Sequence, residues 1–424
     1  MGDAVKAVEG WVNNSKVLGR IAFLEVIDDL SLGVLTVVVK RSEVGPETWE
    51  LVKKIKIGSA VRVEGVEPPE VVSRKGRELH ALRVEVLAEP EEPLPVDVTG
   101  KTPAGLETRL EYRYVSLRLP AYRAIFVARA RLARYTREYF EEKGFLEVHT
   151  PKLVGAGAEG GATLFRVDYF GGTAYLSQSP QLYKQMLMCG VPRVFEITPY
   201  FRAEKFDTPR HLNESWGVDA EMGFIRSHHD VMDILEGYVR HVSQRLDEEM
   251  GDELRRLGFR PLGKLGNIPR VTYREAIGIV EERGHRVEGE GGDLDTRAER
   301  ILGEYMAEQG YDAYFIVDYP WEAKPFYIMR EENGLSRSFD LDIRGTEIAS
   351  GGQREHRRSV LYSNLVEKGL DPSSFKFYLE AFKYGMPPHG GFGLGFDRLL
   401  MKLLGLDNIR EVVLFPRDRF HLVP

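Results

Sequence analysis

Cysteine is almost absent from this chain of 424 residues, since Cys189 stands alone. A single thiol excludes intrachain disulfides and any zinc site built from several cysteines, and it fits a reducing compartment. Long apolar runs are also lacking: none approaches the about 20 residues that cross a membrane, and the start MGDAVKAVEG has no hydrophobic leader segment. We therefore expect a cytoplasmic protein with no membrane partner.

An excess of positive charge is lacking as well. The formal net charge is -7, with 58 Lys and Arg residues against 65 Asp and Glu residues. This balance argues against bulk electrostatic binding of nucleic acid, although a local basic face would still permit it. The chain length predicts two or three domains.

Short β-branched segments fill the first part of the chain, from Lys6 to Glu89, with one helical stretch at residues 47–57. Five strands with a helix between the third and the fourth is the order of an OB-fold barrel. Such barrels bind single-stranded nucleic acid through exposed aromatic side chains beside basic loops. Trp11 and Phe23 are candidates for this stacking, and a place in the barrel core is the alternative for both.

A stretch rich in proline and acidic residues at 89–102 has the composition of a linker. We therefore expect an OB-fold domain at residues 1–92, a linker at 93–120 and a large domain at 121–424. The large domain opens with a helix predicted over residues 121–143, which Gly144 ends as a C-terminal cap.

The segment RVFEITPYFRAEKFDTPRHLNESWGVDAEMGF predicts two strands joined by a polar turn. This hairpin carries, in chain order, Arg202, Glu204, Arg210, His211, Asp219 and Glu221. The two carboxylates of the second strand face one side of it, because side chains alternate with a period of two. So many charges on one hairpin indicate a binding site, and a structural ion-pair network is the alternative.

Ahead of the hairpin, Glu159 lies in a glycine-rich loop, and SQSPQLYKQM predicts a helix that begins at Gln181. A helix N-terminus favours anions, so Lys184 in the first turns is unfavourable for the helix itself. We infer that a ligand carboxylate compensates for this lysine. A solvated lysine on an ordinary amphipathic helix is the alternative.

The segment FDLDIRGTEIASGGQREH opens with alternating apolar and acidic residues at 339–343, which predicts a strand with one buried face. Glu347 and Ser350 then offer hard oxygens suited to a magnesium ion that carries phosphates. Arg354, after the glycine pair at 351–352, offers a planar fork for a carboxylate or a phosphate. The alternative is an edge strand with solvated charges, followed by a glycine turn.

Three segments resemble the signatures of class II aminoacyl-tRNA synthetases: GFLEVHTPKL the first, PYFRAE with its returning strand the second, and GFGLGFDRLL the third. SQSPQLYKQM, GQREHR and PPHGGFGLG resemble the aspartyl members of the aspartate, asparagine and lysine subgroup, in their shorter archaeal form. The resemblance covers essentially the whole chain. It implies an α+β fold, with an N-terminal five-stranded OB-fold barrel and a large domain whose mostly antiparallel sheet is flanked by helices.

The resemblance also implies a reaction in two steps. L-aspartate and ATP form aspartyl-adenylate, which then passes aspartate to the 3′ end of a tRNA. The implied partners are ATP, L-aspartate, tRNA, Mg²⁺ and a second copy of the chain in a homodimer. Two alternatives are a paralogue that passes the adenylate to ammonia to make asparagine, and a non-catalytic RNA-binding relative. The retained barrel argues against the first, and intact Arg202, Glu347, Ser350 and Arg398 argue against the second.

Family roles carry over to single positions of this sequence. The implied catalytic residues are Arg202, Glu204 and Arg398. The implied ATP-binding residues are Arg202, Ala203, Glu204, Arg210, His211, Leu212, Glu347, Gly395, Phe396, Asp397 and Arg398. The implied metal ligands are Glu347 and Ser350. The implied aspartate-binding residues are Glu159, Gln181, Lys184, Arg202, Asp219, Ser350 and Arg354, and among them Lys184 and Arg354 clamp the side-chain carboxylate.

Some positions that bear on tRNA choice depart from the family. Asn13 stands where relatives carry a tryptophan or a histidine, Thr36 stands where glutamine is frequent, and Arg74 lies near a second discriminating position. Together with Phe23, these are the implied contacts with the anticodon region. Whether tRNA(Asn) is charged as well as tRNA(Asp) is left open.

The residue that stacks on adenine is also left open. Many relatives carry an aromatic residue where Ser215 stands in this chain. His211 or Trp216 would then take over the stacking.

Overall fold

A computed structural model of the chain describes residues 4–28, 32–73, 75–155, 164–205, 208–287 and 294–423. Two predicted site residues, Arg74 and Glu159, lie outside these ranges. The chain divides into two compact units. The first comprises Met1–Ala128, Glu253–Gly258 and Val423–Pro424, and the second comprises Arg129–Asp252 and Phe259–Leu422.

The first unit contains a closed barrel. Its strands are β1 (Lys6–Leu18), β2 (Ile21–Ile27), β3 (Leu35–Lys40), β4 (Ala60–Val66) and β5 (Glu78–Ala88). They follow each other around the barrel in the order β1-β2-β3-β5-β4. Helix α1 (Pro46–Lys54) comes between β3 and β4 in the chain and buries Trp49 and Val52 in the barrel core. The OB-fold barrel predicted from the sequence is therefore confirmed.

Alternation of side chains builds the barrel core. In β2, Ala22, Leu24 and Val26 are fully buried, whereas the residues between them are only half-buried. Successive strand residues point to opposite faces, so one set fills the interior and the other covers the outside. Phe23 belongs to the outer set.

Helices follow the barrel. Helices α2 (Leu106–Glu111) and α3 (Arg113–Ser116) precede the long α4 (Pro120–Glu142), which matches the predicted helix within one residue at each end. Gly144 has a φ of 75°, a left-handed conformation that glycine adopts without strain. The chain therefore leaves the helix at the predicted cap.

The second unit contains an eight-stranded sheet. Its strands are β6 (Leu146–Glu147), β10 (Arg193–Phe201), β11 (Glu214–Gly223), β12 (Arg270–Thr272), β13 (Ala313–Val317), β14 (Ser338–Ile343), β15 (Glu347–Gln353) and β16 (His389–Gly395), and a smaller sheet holds β7 (Leu153–Val154), β8 (Arg166–Tyr169) and β9 (Gly172–Leu176). The large sheet has the order β12-β13-β14-β15-β16-β11-β10-β6. The pairs β12–β13 and β10–β6 are parallel, and the other neighbours are antiparallel. A mostly antiparallel sheet was predicted and is confirmed.

Helices accompany this sheet. They are α5 (Gln181–Leu187), α6 (His228–Arg256), α7 (Tyr273–Glu282), α8 (Thr296–Glu308), α9 (Arg358–Glu367), α10 (Lys376–Ala381) and α11 (Phe396–Leu404), with short 3-10 helices at Trp321–Ala323, Pro372–Phe375 and Ile409–Val412. Helices α5 and α11 contact β11, and α7 contacts β12 and β13. Within the described ranges, no helix has the length and apolarity that a membrane crossing requires.

One face of the central strands carries the polar side chains, because the register aligns them in rows. Asp340, Ser350, Gly393 and Asp219 are successive partners across β14, β15, β16 and β11. In β16 the residues on this face are glycines, whereas Phe392 and Leu394 alternate with them and are buried. Because β16 has no side chains on this face, it leaves open space above the sheet, with the polar groups of the neighbouring strands on both sides.

The prediction of one buried face for residues 339–343 is wrong, since every residue of β14 is buried. Its acidic residues are covered by protein partners: Lys324 donates to Asp340 at 2.9 Å, and the Tyr314 hydroxyl donates to Asp342 at 3.2 Å. Glycines 351 and 352 belong to β15 and do not form a turn. The acidic alternation therefore marks a second, polar interior face.

Gly391 and Gly393 of β16 allow a matched test of this packing. A Cβ at position 391 would overlap with the Ala220 carbonyl oxygen and the Glu221 carboxylate, whereas at position 393 its nearest neighbour is Asp219 Oδ1 at 3.5 Å. We expect Gly391→Ala to lower the free energy of unfolding by about 1–3 kcal/mol and Gly393→Ala to change it little, as measured by denaturant unfolding. Equal stability of the two variants would contradict this packing.

Candidate active site

A cavity of about 680 Å³ lies over the glycine strand of the second unit. Most of the predicted site residues line it together: Gln181, Arg202, Glu204, Arg210, His211, Leu212, Asp219, Glu347, Ser350, Arg354, Gly395, Asp397 and Arg398. Three predicted residues, Lys184, Ala203 and Phe396, are not part of its lining. The structure thus brings predicted residues of the hairpin and of the C-terminal strands together around one cavity.

Four buried charges cluster at one end of this cavity, and two of them, Asp219 and Arg354, line it. Lys184 Nζ lies 2.7 Å from Asp219 Oδ1 and 3.4 Å from Glu221 Oε2, and Arg354 Nε lies 3.0 Å from Glu221 Oε1. Burial alone would raise the pKa of Glu221, but Arg354 and Lys184 outweigh it and hold the pKa below its ordinary value. Two cations and two carboxylates therefore balance each other before any ligand arrives.

Lys184 differs from its expected setting. Helix α5 has only seven residues, and Lys184 lies in its last turn, where a cation is favourable. Its ammonium also donates to the Phe392 carbonyl oxygen at 2.8 Å. Protein groups compensate for this lysine, so the inference that a ligand carboxylate must do so is wrong. Lys184 reaches the cavity through Asp219, which lines it.

A neutral histidine supports Arg354 from behind. The Arg354 amide donates to the His389 carbonyl oxygen at 2.8 Å, and His389 Nδ1 lies 2.9 Å from the Pro387 carbonyl oxygen. Burial lowers the pKa of this fully enclosed imidazole to about 4. The ring therefore adds no charge beside the guanidinium near neutral pH.

The other end of the cavity gathers oxygens. Asp340 and Ser350 are direct partners across β14 and β15, and Glu347 begins β15. Burial and the nearby Asp340 raise the pKa of Glu347 to about 7. Asp340 Oδ1 has no hydrogen-bond partner among the described residues. These oxygens are suitable ligands for a cation. Within the described ranges, however, no group of three or more His, Cys, Asp or Glu residues could hold a metal ion without further ligands.

Two residues at this end were not predicted. Asp340 and Lys324 both line the cavity and pair with each other, and Lys324 Nζ also lies 3.6 Å from the centroid of the Tyr319 ring. The acidic alternation of β14 was a usable signal for Asp340. Lys324 gave no signal, because it stands in a loop outside the motifs.

The arginines of the phosphate-binding prediction have different settings. Arg202 follows the end of β10, and its amide donates to the Asn213 carbonyl oxygen at 2.9 Å, which closes the hairpin. Arg210 at the bend donates to Glu299 Oε2 of α8 at 2.9 Å and to the Gly345 carbonyl oxygen at 3.1 Å. Arg398 donates to the Glu347 carbonyl oxygen at 3.2 Å. All three arginines line the same cavity.

Asp397 lines the cavity, but protein groups occupy both of its oxygens. Arg129 donates to Oδ1, and the Trp216 amide donates to Oδ2 at 2.7 Å. These bonds tie the start of α11 to β11, next to Arg398. The contacts of Asp397 are therefore those of a group that fixes the shape of the site.

The barrel residues predicted for tRNA are placed unevenly. Asn13 is almost fully buried and donates to the Arg118 carbonyl oxygen at 2.9 Å, and the buried Thr36 hydroxyl pairs with that of Ser73 at 2.7 Å. Phe23 is half-buried. Trp11 is 43% exposed, with the Arg118 guanidinium 5.3 Å from its ring centroid. Trp11 is therefore not a core residue.

A mostly antiparallel sheet whose hairpin and C-terminal strands surround such a cavity has the architecture of the class II aminoacyl-tRNA synthetases. Residues 105–419 match the family "tRNA synthetases class II (D, K and N)", and the chain belongs to this family.

Curated relatives cover the full length. The chain is 48% identical to aspartate–tRNA(Asp) ligase of Pyrococcus horikoshii, over 100% of this chain and 97% of the relative. It is 47% identical to aspartate–tRNA(Asp/Asn) ligase of Methanopyrus kandleri, over 100% of this chain and 96% of that protein. Among solved structures, asparaginyl-tRNA synthetase from Pyrococcus horikoshii complexed with asparaginyl-adenylate superposes with a TM-score of 0.91 at 35% identity, covering 100% of this chain and 96% of that one.

The buried His389 predicts a pH dependence of stability. Its folded pKa of about 4 lies below the ordinary 6.5, so the unfolded chain takes up a proton that the folded chain refuses. Stability should therefore fall as the pH falls from 6.5 towards 4, by at most about 3 kcal/mol from this group. We expect His389→Gln to flatten this slope in denaturant unfolding between pH 4.5 and 7.

The exposed His149 provides the control, and His149→Gln should keep the parent's slope. A parent slope that His389→Gln leaves unchanged would contradict a neutral His389.

Proposed function

We propose that this protein is an aspartate–tRNA ligase, which activates L-aspartate with ATP and transfers it to the 3′ end of tRNA(Asp). The observation that carries the proposal is the buried set of Lys184, Asp219, Glu221 and Arg354 at one end of a cavity whose other end holds arginines and carboxylates. Full-length relatives that are aspartate–tRNA ligases support the same substrate.

The amino-acid end suits aspartate. Arg354 lines the cavity and presents a guanidinium whose orientation is fixed by Glu221, so it can receive the side-chain carboxylate of the substrate. Asp219 and Gln181 both line the cavity. Asp219 can accept from the α-ammonium group, and Gln181 and Glu159 are proposed to join it there. Asparagine would turn the NH2 group of its amide towards the Arg354 guanidinium, so that two donors would face each other. This mismatch disfavours asparagine.

The phosphate end suits adenylate formation. One α-carboxylate oxygen of aspartate bonds to the α-phosphorus of ATP as the bond to pyrophosphate breaks, and no protein base is needed because the nucleophile is already ionised. Arg202 is proposed to neutralise the charge that develops on the α-phosphoryl oxygens, and Arg398 and Arg210 to hold the outer phosphates. Glu204 and His211 would contact the nucleotide beside them.

The oxygens of Glu347, Ser350 and Asp340 fit a divalent cation. The unpartnered Asp340 oxygen and the raised pKa of Glu347 both indicate a site short of positive charge. We propose that Glu347 and Ser350 hold Mg²⁺, with further oxygens from the triphosphate. Bound there, the ion would supply Lewis-acid stabilisation of phosphate charge.

In the second step, a ribose hydroxyl of the tRNA 3′ end bonds to the activated carbonyl carbon, its proton is lost, and AMP leaves. We assign residues 1–92 to anticodon binding, 93–120 to a linker and 121–424 to catalysis. Phe23, Asn13, Thr36 and Arg74 are proposed anticodon-domain determinants, with Asn13 acting through the Arg118 backbone that it holds. The proposal includes a cytoplasmic homodimer.

Aspartate-dependent exchange of pyrophosphate into ATP tests the first step. We expect Lys184→Ala to lower this exchange at least 100-fold, because Asp219 and Glu221 lose a buried counter-charge, while nucleotide binding persists. Arg354→Lys keeps the charge but not the fork, and should raise the KM for aspartate.

Lys368→Ala is the control for Lys184→Ala, since Lys368 also lines the cavity but bonds to the carbonyl oxygens of Trp321 and Glu322. Thermal unfolding of each variant separates lost activity from lost fold. Exchange by Lys184→Ala as fast as that of Lys368→Ala would refute the role of Lys184.

Charging of purified tRNA(Asp) and tRNA(Asn) side by side tests the second step and defines its breadth. We expect Phe23→Ala to raise the KM for tRNA several-fold and to leave pyrophosphate exchange intact, because Phe23 lies on the outer face of β2. Equal loss in both assays would mean that Phe23 serves the stability of the fold and not the use of tRNA. If ammonia, but not tRNA, converts the adenylate into product, the amide-forming alternative would be indicated.

A further inference from the structure

Asp219 is held from two sides. Its Oδ1 accepts from Lys184, and its Oδ2 accepts from the hydroxyl of Tyr200 on the neighbouring strand β10. Both Tyr200 and Asp219 line the cavity, and both are largely buried. Tyr200 lies in the PYFRAE segment, but neither the sequence analysis nor the steps derived above give it a role.

A glycine makes the position of Tyr200 possible. Tyr200 is the direct partner of Ser215, and its ring lies diagonally across β11 over Gly217 towards Asp219. A Cβ on Gly217 would overlap with the end of the phenol ring and with its hydroxyl. On the other side, a Cβ on Gly393 would lie 3.8 Å from the Tyr200 hydroxyl. The ring therefore fills a slot that exists because β11 and β16 carry glycines there.

The phenol also fits its role as a permanent donor. Burial and the neighbouring Asp219 raise the pKa of Tyr200 well above its ordinary value, so the hydroxyl keeps its proton at any physiological pH. An ionised carboxylate only accepts hydrogen bonds, and its two oxygens have about four lone-pair positions. Tyr200 and Lys184 occupy one position on each oxygen, which leaves acceptor positions on the cavity side.

We propose that Tyr200 is a positioning residue for the amino-acid substrate. By fixing the plane of the Asp219 carboxylate, it directs the remaining acceptor positions towards the α-ammonium group of aspartate. It also stops Asp219 from turning fully onto Lys184, a contact that would leave the substrate ammonium without its acceptor. This inference rests on the proposed aspartate-activating function and adds a residue that determines how the amino acid is held.

The test is the KM for aspartate in pyrophosphate exchange. Tyr200→Phe removes the hydroxyl and keeps the ring, so the KM for aspartate should rise about tenfold or more, as expected for loss of a hydrogen bond to a charged group. The KM for ATP should stay within twofold of the parent, because the phosphate end is untouched. A role in folding alone would not separate the two KM values in this way.

Gly217 provides an independent variant. Gly217→Ala should displace the phenol and raise the KM for aspartate as Tyr200→Phe does. In a Tyr200→Val background the slot is vacant, so adding Gly217→Ala should cause no further rise. If the two effects multiply, Gly217 does not act through Tyr200.

Tyr314→Phe is the matched control, since Tyr314 is another buried tyrosine of the same sheet that donates to a buried aspartate, Asp342. It should leave the KM for aspartate unchanged. The inference is overturned if Tyr200→Phe behaves like Tyr314→Phe. A parent protein without aspartate-dependent exchange would overturn the proposed function itself, so the two failures are distinguishable.

Discussion

The amino-acid end of the cavity depends on the pairing of buried charges. Lys184 and Arg354 are almost completely removed from water, and each is tolerable there only because Asp219 and Glu221 lie within ion-pair distance. Two positive and two negative charges balance each other, but the ion pairs do not enclose all four groups. Arg354 and Asp219 still border the cavity. A ligand therefore meets preorganised groups that need no large reorganisation to receive it.

The glycines of β16 and β11 have a complementary part. At Gly391, Gly393 and Gly217 they remove side chains from the face on which Asp219, Glu221 and Ser350 stand. The space above these glycines is therefore open to a ligand, except over Gly217, where the Tyr200 ring lies. Strand register and the absence of Cβ atoms thus produce a cavity whose base is glycine backbone and whose sides carry charged side chains.

Much of this arrangement could be predicted from sequence, and the exceptions have physical causes. The barrel, the hairpin and the glycine strand follow from local periodicity, and the resemblance to class II synthetases brought their residues into one site. Periodicity could not reveal that β14 is buried on both faces, because partners such as Lys324 come from the connection that precedes the strand and not from the strand itself. Nor could it show that Lys184 already has protein partners, since Phe392 lies 208 positions further along the chain.

The pairing of Glu299 with Arg210 limits how strongly this arginine can attract an anion. Glu299 belongs to α8, which Gly303 packs tightly against Gly345 in the β14–β15 turn, and its carboxylate accepts from Arg210 at 2.9 Å. An anion that reaches Arg210 would meet a guanidinium whose charge Glu299 already offsets, and not the full attraction of a lone guanidinium. An anion at Arg210 is therefore bound weakly. If Arg210 holds the outer phosphates as proposed, weak binding there would help pyrophosphate to depart in every cycle.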